Sequence, residues 1–279
     1  MKLAMFDAGV GPQVGVVKNE LVYPIKFEGG MVDLISNWGK MKEVVAKEVQ
    51  SSGGISLSTV KLLPPVHRPG KIFAIGLNYA DHIAESKMET PEFQVWFTKA
   101  VTSVNGPNDP VLIAKNAPYV DYEVELVAVV GKSGKNIAAE NAADHIFGYC
   151  VGNDVTERLW QHRTPQWSLG KSFDTHCPIG PWITTAEEVP DPHNLSLRCL
   201  VNGETRQNSN TKHLVFNIWQ QIEHLSEAMT LESGDLIFTG TPGGVGAAMD
   251  PRVFLQPGDR VRCEVDTLGA IEAEMVGEV

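Results

Sequence analysis

A mixed, strand-rich α+β fold is what this sequence predicts, and three observations carry the prediction. Short runs of alternating apolar residues recur along the chain, as half-buried strands require. Clusters of Gly, Pro, Asn and Asp separate them and supply the turns. Helical patterns are too few to lie between successive strands, which excludes a doubly wound parallel sheet.

The first 65 residues read as one small unit. Val14 to Val17 and Leu21 to Ile25 are strands about a Lys18-Asn19-Glu20 turn, and Met31 to Gln50 is a helix. Ser51-Ser52-Gly53-Gly54 is a loop, and Leu62-Leu63-Pro64-Pro65 with Arg68-Pro69-Gly70 is a linker. The chain divides there into a β-rich N-terminal domain, 1–65, and a larger domain, 66–279. In the larger part, Lys71 to Gly76 is a short strand and Tyr79 to Lys87 is helical. Further strands are expected at Tyr122 to Val130, His145 to Asn153, Leu195 to Val201, Leu236 to Thr239 and Arg260 to Val265. Ser233-Gly234-Asp235 and Gln256-Pro257-Gly258-Asp259 are turns that feed the last two. Phe216 to Ala228 spaces Ile218, Ile222 and Leu225 for burial on one helical face.

With 279 residues, 43% hydrophobic and 20% charged, the chain can bury a substantial core and has no disorder signature. A net charge of −11 argues against a nucleic-acid partner and against adsorption to an anionic membrane. An anionic substrate must then be met by positive charge concentrated locally. The N-terminus has no signal-like apolar run, and no stretch approaches the roughly 18 apolar residues of a membrane span. Cys150, Cys177, Cys199 and Cys263 form no C-x-x-C pair and read as reduced, partly buried thiols of a cytoplasmic protein.

The sharpest chemical feature is Asp121-Tyr122-Glu123-Val124-Glu125-Leu126 leading into a solid apolar run. On a strand, Glu123 and Glu125 share one face with Cα atoms roughly 6.5–7 Å apart. Two such anions at the mouth of a buried strand repel unless a cation joins them; the alternative is a solvated strand face. Asp154 ends the run Phe147-Gly148-Tyr149-Cys150-Val151-Gly152-Asn153 and adds a third carboxylate at a strand tip. Three carboxylates with no His or Cys at ligand spacing among them suit a hard ion, Mg²⁺ or Mn²⁺, rather than zinc.

Five words in order carry a resemblance: Gly76-Leu77-Asn78-Tyr79-Ala80-Asp81-His82, Asp121 to Leu126, Gly152-Asn153-Asp154-Val155-Thr156, Gly170-Lys171-Ser172-Phe173-Asp174 and Thr239-Gly240-Thr241-Pro242. The chain resembles the fumarylacetoacetate hydrolase family over about residues 66 to 279, with a preceding segment like that family's small N-terminal domain. The resemblance implies a mixed β-sandwich or roll and a homodimer. It puts Glu123, Glu125 and Asp154 on the metal ligands and Lys171 on the lysine that faces the substrate. His82 and Glu85 fall on a catalytic dyad of a mobile closing segment, and Arg158, Gln161 and Thr241 on substrate-proximal positions. Two words depart from the family: Thr156-Glu157-Arg158-Leu159 replaces Ser-Ala-Arg-Asp, and Ala100 rather than Pro follows Lys99. Both lie where substrate side groups would be read.

His82 and Glu85 sit at i, i+3 and can pair on one helical face, where the ordinary reading is a surface pair. The segment from Asp81 to Glu92 has few bulky apolar residues and is expected to move. Gly240-Thr241-Pro242-Gly243-Gly244-Val245-Gly246 lacks the lysine of a phosphate loop and reads as a turn whose backbone approaches the substrate. The tryptophans at 160, 167, 182 and 219 are core or dimer contacts, and the remaining histidines show no ligand spacing. The function implied is metal-dependent hydrolysis of the C–C bond of a 2,4-dioxo acid. Water activated by His82 and Glu85 would attack, and a pyruvate enolate would leave on the metal. Oxaloacetate decarboxylation and hydroxymuconate-type isomerisation use a related enolate and are the alternatives. A non-catalytic, metal-stabilised binding protein is the remaining one.

Overall fold

A computed structural model describes residues 1–51, 53–86 and 89–278. Val124–Val130 is the central element, and its residues are all buried. Alternation divides them. Val124, Leu126, Ala128 and Val130 join a core that includes Leu197, Cys199, Val261, Cys263 and Ile271. Val127 and Val129 join a second core with Leu3, Val14, Met31, Leu34 and Val45. A strand covered on both faces must be apolar throughout, which explains the unbroken run after Glu125.

The largest sheet is 12-stranded and mixed. Its middle runs Lys2–Asp7, Cys177–Thr185, Ile146–Asn153, Val124–Val130, Leu236–Phe238, Ile72–Gly76 and Val95–Thr98. Leu236–Phe238 pairs in parallel with Ile72–Gly76, and the other central pairs are antiparallel. A 5-stranded sheet of Glu204–Asn210, Ser196–Val201, Arg260–Val265, Gly269–Gly277 and Val111–Ile113 contributes the facing layer. The expected strand-rich α+β architecture is the one observed. The N-terminal strands continue the large sheet, with Lys2 opposite Thr184 and Leu3 opposite Ile183.

Local departures have local causes. The helix expected over Met31 to Gln50 is two helices, Met31–Ser36 and Trp38–Ser51. They break at Asn37, whose Nδ2 donates to the Asp33 carbonyl at 2.9 Å, the competition with helix bonding that asparagine favours. The strand expected from Tyr122 is interrupted: Val120–Asp121 pairs with Thr156–Glu157, and the long strand begins only at Val124. The helix expected over Phe216 to Ala228 runs from Ile218 to Ala228 and buries Ile218, Ile222 and Leu225. Asn217 caps it by accepting from Gln220 N at 3.0 Å.

Candidate metal centre and cavity

The interruption at Tyr122 and Glu123 builds the site. Glu123 N donates to Asn153 Oδ1 at 2.9 Å, and Asp154 N donates to the Glu123 carbonyl at 2.9 Å. These bonds tie the tips of two adjacent strands together, so that ligand atoms of Glu123, Glu125 and Asp154 lie within 4.8 Å of one another. All three residues are buried.

Their surroundings are unequal. Lys171 Nζ donates to Glu123 Oε2 at 2.7 Å and to Asp154 Oδ2 at 2.6 Å. Arg158 reaches Glu123 Oε1 at 2.8 Å and grips Asp121 Oδ2 through Nε and Nη2. Burial alone would raise the Glu123 carboxyl, but the Lys171 and Arg158 charges hold it at about 2. Glu125 makes no ion pair among the described residues; it accepts one backbone bond, from Gly240 N at 2.7 Å. Burial, then the charges of Asp154 and Glu123, push its carboxyl well above the ordinary range.

That imbalance is what a cation would relieve. With all four carboxyls ionised, Asp121, Glu123, Glu125 and Asp154 are met by Lys99, Arg158 and Lys171, which leaves one surplus negative charge, on the residue whose proton burial retains. A divalent ion converts it to one positive charge, which an anion entering the cavity would meet. The donors are all oxygen, as Mg²⁺ and Mn²⁺ prefer. The trio therefore fits a hard divalent metal.

Glu123 and Glu125 face a cavity of about 910 Å³ that is also lined by His82, Glu85, Arg158, Gln161, Lys171 and Thr241. Eight of the nine residues singled out in the sequence thus line one space, and Asp154 lies fully buried beside Lys171 and Lys99. Gln161 Oε1 accepts from Arg158 Nη1 at 3.1 Å. Thr241 Oγ1 donates to the Val124 carbonyl and accepts from Gln207 Nε2. Gly170 fixes Lys171: a Cβ there would come within 2.3 Å of Gln161 N, so only glycine lets the Arg158–Gln161 helix pack so close.

His82 and Glu85 lie on the helix Ala80–Ser86, with His82 Nδ1 3.9 Å from Glu85 Oε2. That is an ion-pair separation, longer than a hydrogen bond. Glu85 Oε2 instead accepts from Gly244 N at 2.7 Å, while His82 Nδ1 is buried without a hydrogen-bond partner. Burial raises the Glu85 carboxyl, but His82 and the Gly244 N–H outweigh it and leave it below the ordinary range. Within the segment expected to move, Lys87 and Met88 lie outside the described residues.

Two side chains that the sequence words contain, Lys99 and Asp121, were given no role in the sequence reading. Lys99 is buried and donates to Asp154 Oδ1 at 2.6 Å and to the carbonyl of Lys171. Its ammonium supports the carboxylate trio rather than reading a substrate side group. Asp121 is buried, and its carboxylate accepts from Arg158, Gly246 N and Ala247 N. No sequence period marks either residue, because their partners are distant in the chain.

Known proteins with this geometry are informative. Residues 71–276 match the family model described as fumarylacetoacetate (FAA) hydrolase, C-terminal. A Xenopus laevis protein named oxaloacetate tautomerase fahd2, mitochondrial, is 48% identical over 224 residues, which are 80% of this chain and 70% of that protein. The crystal structure of maleylpyruvate hydrolase from Sphingobium sp. SYK-6 in complex with manganese(II) and pyruvate aligns with a TM-score of 0.87. It is 33% identical, with 100% of both chains covered. Fumarylacetoacetate hydrolase from Exiguobacterium antarcticum aligns with a TM-score of 0.91 at 34% identity, again over 100% of both chains. These similarities and the carboxylate trio agree: this chain belongs to the fumarylacetoacetate hydrolase family.

Proposed function

We propose that this protein interconverts the keto and enol forms of a small 2-oxo acid of the oxaloacetate type. The observation that carries the reading is the buried trio of Glu123, Glu125 and Asp154 opening on a cavity that His82 also lines. Those three carboxylates would hold Mg²⁺ or Mn²⁺, which when bound supplies Lewis-acid chelation of the carboxylate and 2-oxo oxygens of the acid. Lys171 offers a fixed ammonium against charge that develops on the 2-oxo oxygen. Arg158, held by Asp121, and Gln161 and Thr241 orient the carboxylates of the acid. His82 takes a proton from C3 of the keto form and returns it in the reverse direction. The 48% identity to an oxaloacetate tautomerase supports this choice within the family.

Hydrolysis of the C–C bond of a 2,4-dioxo acid is the second reading. It is favoured by the pairing of His82 and Glu85 on one helix, which suits activation of a water, and by the similarity to maleylpyruvate hydrolase. The two readings separate in one assay. With Mn²⁺ or Mg²⁺, the protein should accelerate decay of the ultraviolet absorbance of enol-oxaloacetate, with no pyruvate seen by NMR. Pyruvate release from acylpyruvates, with no effect on the enol, would replace tautomerisation by hydrolysis.

Two further properties belong to the proposal. A cytoplasmic location fits four buried, unpaired cysteines, although the Xenopus laevis relative is named as mitochondrial. Among the described residues no helix is long and apolar enough to cross a membrane. A homodimer is expected, and exposed apolar side chains such as Leu169 and Phe93 give a partner surface to cover. Light scattering should give twice the 30.4 kDa chain mass; the mass of one chain would refute the dimer.

A further inference from the structure

Where the strand Leu236–Phe238 ends, its central neighbour is left without a main-chain partner. Phe238 pairs with Val127, and Thr239 N still donates to the Leu126 carbonyl at 3.1 Å. Two residues further in the same antiparallel register, Thr241 would stand opposite Val124 and exchange both main-chain bonds with it. It does not. Gly240, with φ at +107°, turns the chain away, and Val124 stays fully buried with two peptide groups to satisfy.

Side chains meet that need. Thr241 Oγ1 donates to the Val124 carbonyl at 3.0 Å, and Gln207 Oε1 accepts from Val124 N at 2.9 Å. Gln207 Nε2 then donates to Thr241 Oγ1 and to the Pro242 carbonyl, both at 2.8 Å. An amide can face either way, and here both ends settle it. Only its oxygen can accept from Val124 N–H, and only its NH₂ can donate to the Pro242 carbonyl. Gln207 is fully buried and reaches across from Glu204–Asn210 of the 5-stranded sheet. The loop rides on that same strand: a Cβ at Gly244 would come within 2.1 Å of the Arg206 carbonyl oxygen.

Two consequences follow for Thr241, which lines the cavity while Gln207 lies outside its lining. The single hydroxyl proton is spent on Val124, so the side chain has none to donate to an anion. The main-chain N–H, released from the ladder, has no partner among the described residues. We infer that Gln207 is a positioning residue for the bound acid: it stands in for the missing strand and so frees the Thr241 N–H to donate to a substrate carboxylate. The role rests on the reading of the cavity as a 2-oxo acid site. The metal ligands do not depend on it, because Asn153 Oδ1 holds Glu123 N and the Glu123 carbonyl holds Asp154 N.

The test separates acid binding from metal binding. Oxamate, an unreactive likeness of a 2-oxo acid, is titrated calorimetrically into the Mn²⁺-loaded parent and into Gln207→Met. The substitution should weaken oxamate about tenfold or more while Mn²⁺ affinity stays at the parental level. In ketonisation of enol-oxaloacetate, KM should rise by a larger factor than kcat falls. Thr241→Val removes the hydroxyl that Gln207 holds, so the two losses of oxamate affinity should not multiply in the double variant. If Gln207→Met does not fold, Gln207→Glu answers the same question. It keeps the shape and the acceptor for Val124 N, and can make at most one of the two donations. Parental oxamate affinity in the Gln207 variant, losses that multiply, or Mn²⁺ affinity falling in step with that of oxamate would each overturn the role while the 2-oxo acid reading stands. If oxamate does not bind the Mn²⁺-loaded parent, that reading fails and the role of Gln207 falls with it.

Discussion

Replacing Glu125 by glutamine is expected to abolish divalent-metal binding and turnover together, yet leave the metal-free protein at least as stable as the parent. The expectation is unusual for a buried site and follows from charge. Glu125 is the ligand without an ion pair, so in the absence of metal its ionised form is repelled by Asp154 and Glu123. Glutamine keeps the volume and an oxygen for Gly240 N, and removes the repulsion. Because the folded chain raises this carboxyl above its ordinary 4.5, it retains a proton there that the unfolded chain has lost. The metal-free parent should therefore lose stability from this group as pH rises from about 4.5 through the raised value. Glu123 acts with the opposite sign: held at about 2, it stabilises above 4.5, and that contribution fades as pH falls toward 2. Glutamine at 125 removes only the first slope. A metal at a hundredfold excess over Kd stabilises by about 2.7 kcal/mol, so Mn²⁺ should raise the melting temperature of the parent and not that of the variant. Calorimetry and thermal scans in chelator and in Mn²⁺ check both halves. Unchanged Mn²⁺ affinity in Glu125→Gln would refute the three-carboxylate centre, and a large loss of metal-free stability would refute the charge argument.

What could be read in the sequence was whatever leaves a period or sits at a strand tip. Glu123 and Glu125 are two apart beside an apolar run, and Asp154 closes another such run, so their meeting follows from strand geometry. Arg260–Val265 alternates cleanly, and its strand lies where the alternation puts it. Lys99 and Asp121 leave no such trace. Lys99 matters because Asp154, 55 residues later, needs a cation beneath it, and Asp121 because Gly246 and Arg158 converge on it. Asn37 was hidden for another reason. It sits inside a pattern that favours helix, and its side chain and backbone N–H both donate to the Asp33 carbonyl where the first helix ends. Likewise, the pairing of Lys2 and Leu3 with Thr184 and Ile183 is a long-range event that no local window contains.

The second large effect is expected at His82, and it tells apart the two reactions that share this site. If His82 is the base for proton transfer at C3, His82→Ala should slow enol-oxaloacetate ketonisation by the 10²–10⁴-fold typical of a general base. Glu85→Gln should then cost far less. Glu85 stands 3.9 Å from His82 Nδ1, and its stronger contact, with Gly244 N at 2.7 Å, can be kept by an amide oxygen. Hydrolysis makes a different demand, because the imidazole must be oriented and charged by a carboxylate while it takes a proton from water. In that case the two substitutions should be comparably severe on acylpyruvate cleavage. Loss of CO₂ from oxaloacetate needs no such base and should survive His82→Ala better than either reaction. Measuring all three on the parent, His82→Ala and Glu85→Gln, with Mn²⁺ affinity as a control, gives a distinct pattern for each. If ketonisation in His82→Ala stays within a few-fold of the parent while Mn²⁺ still binds, His82 is not the base, and another group lining the cavity must move the proton.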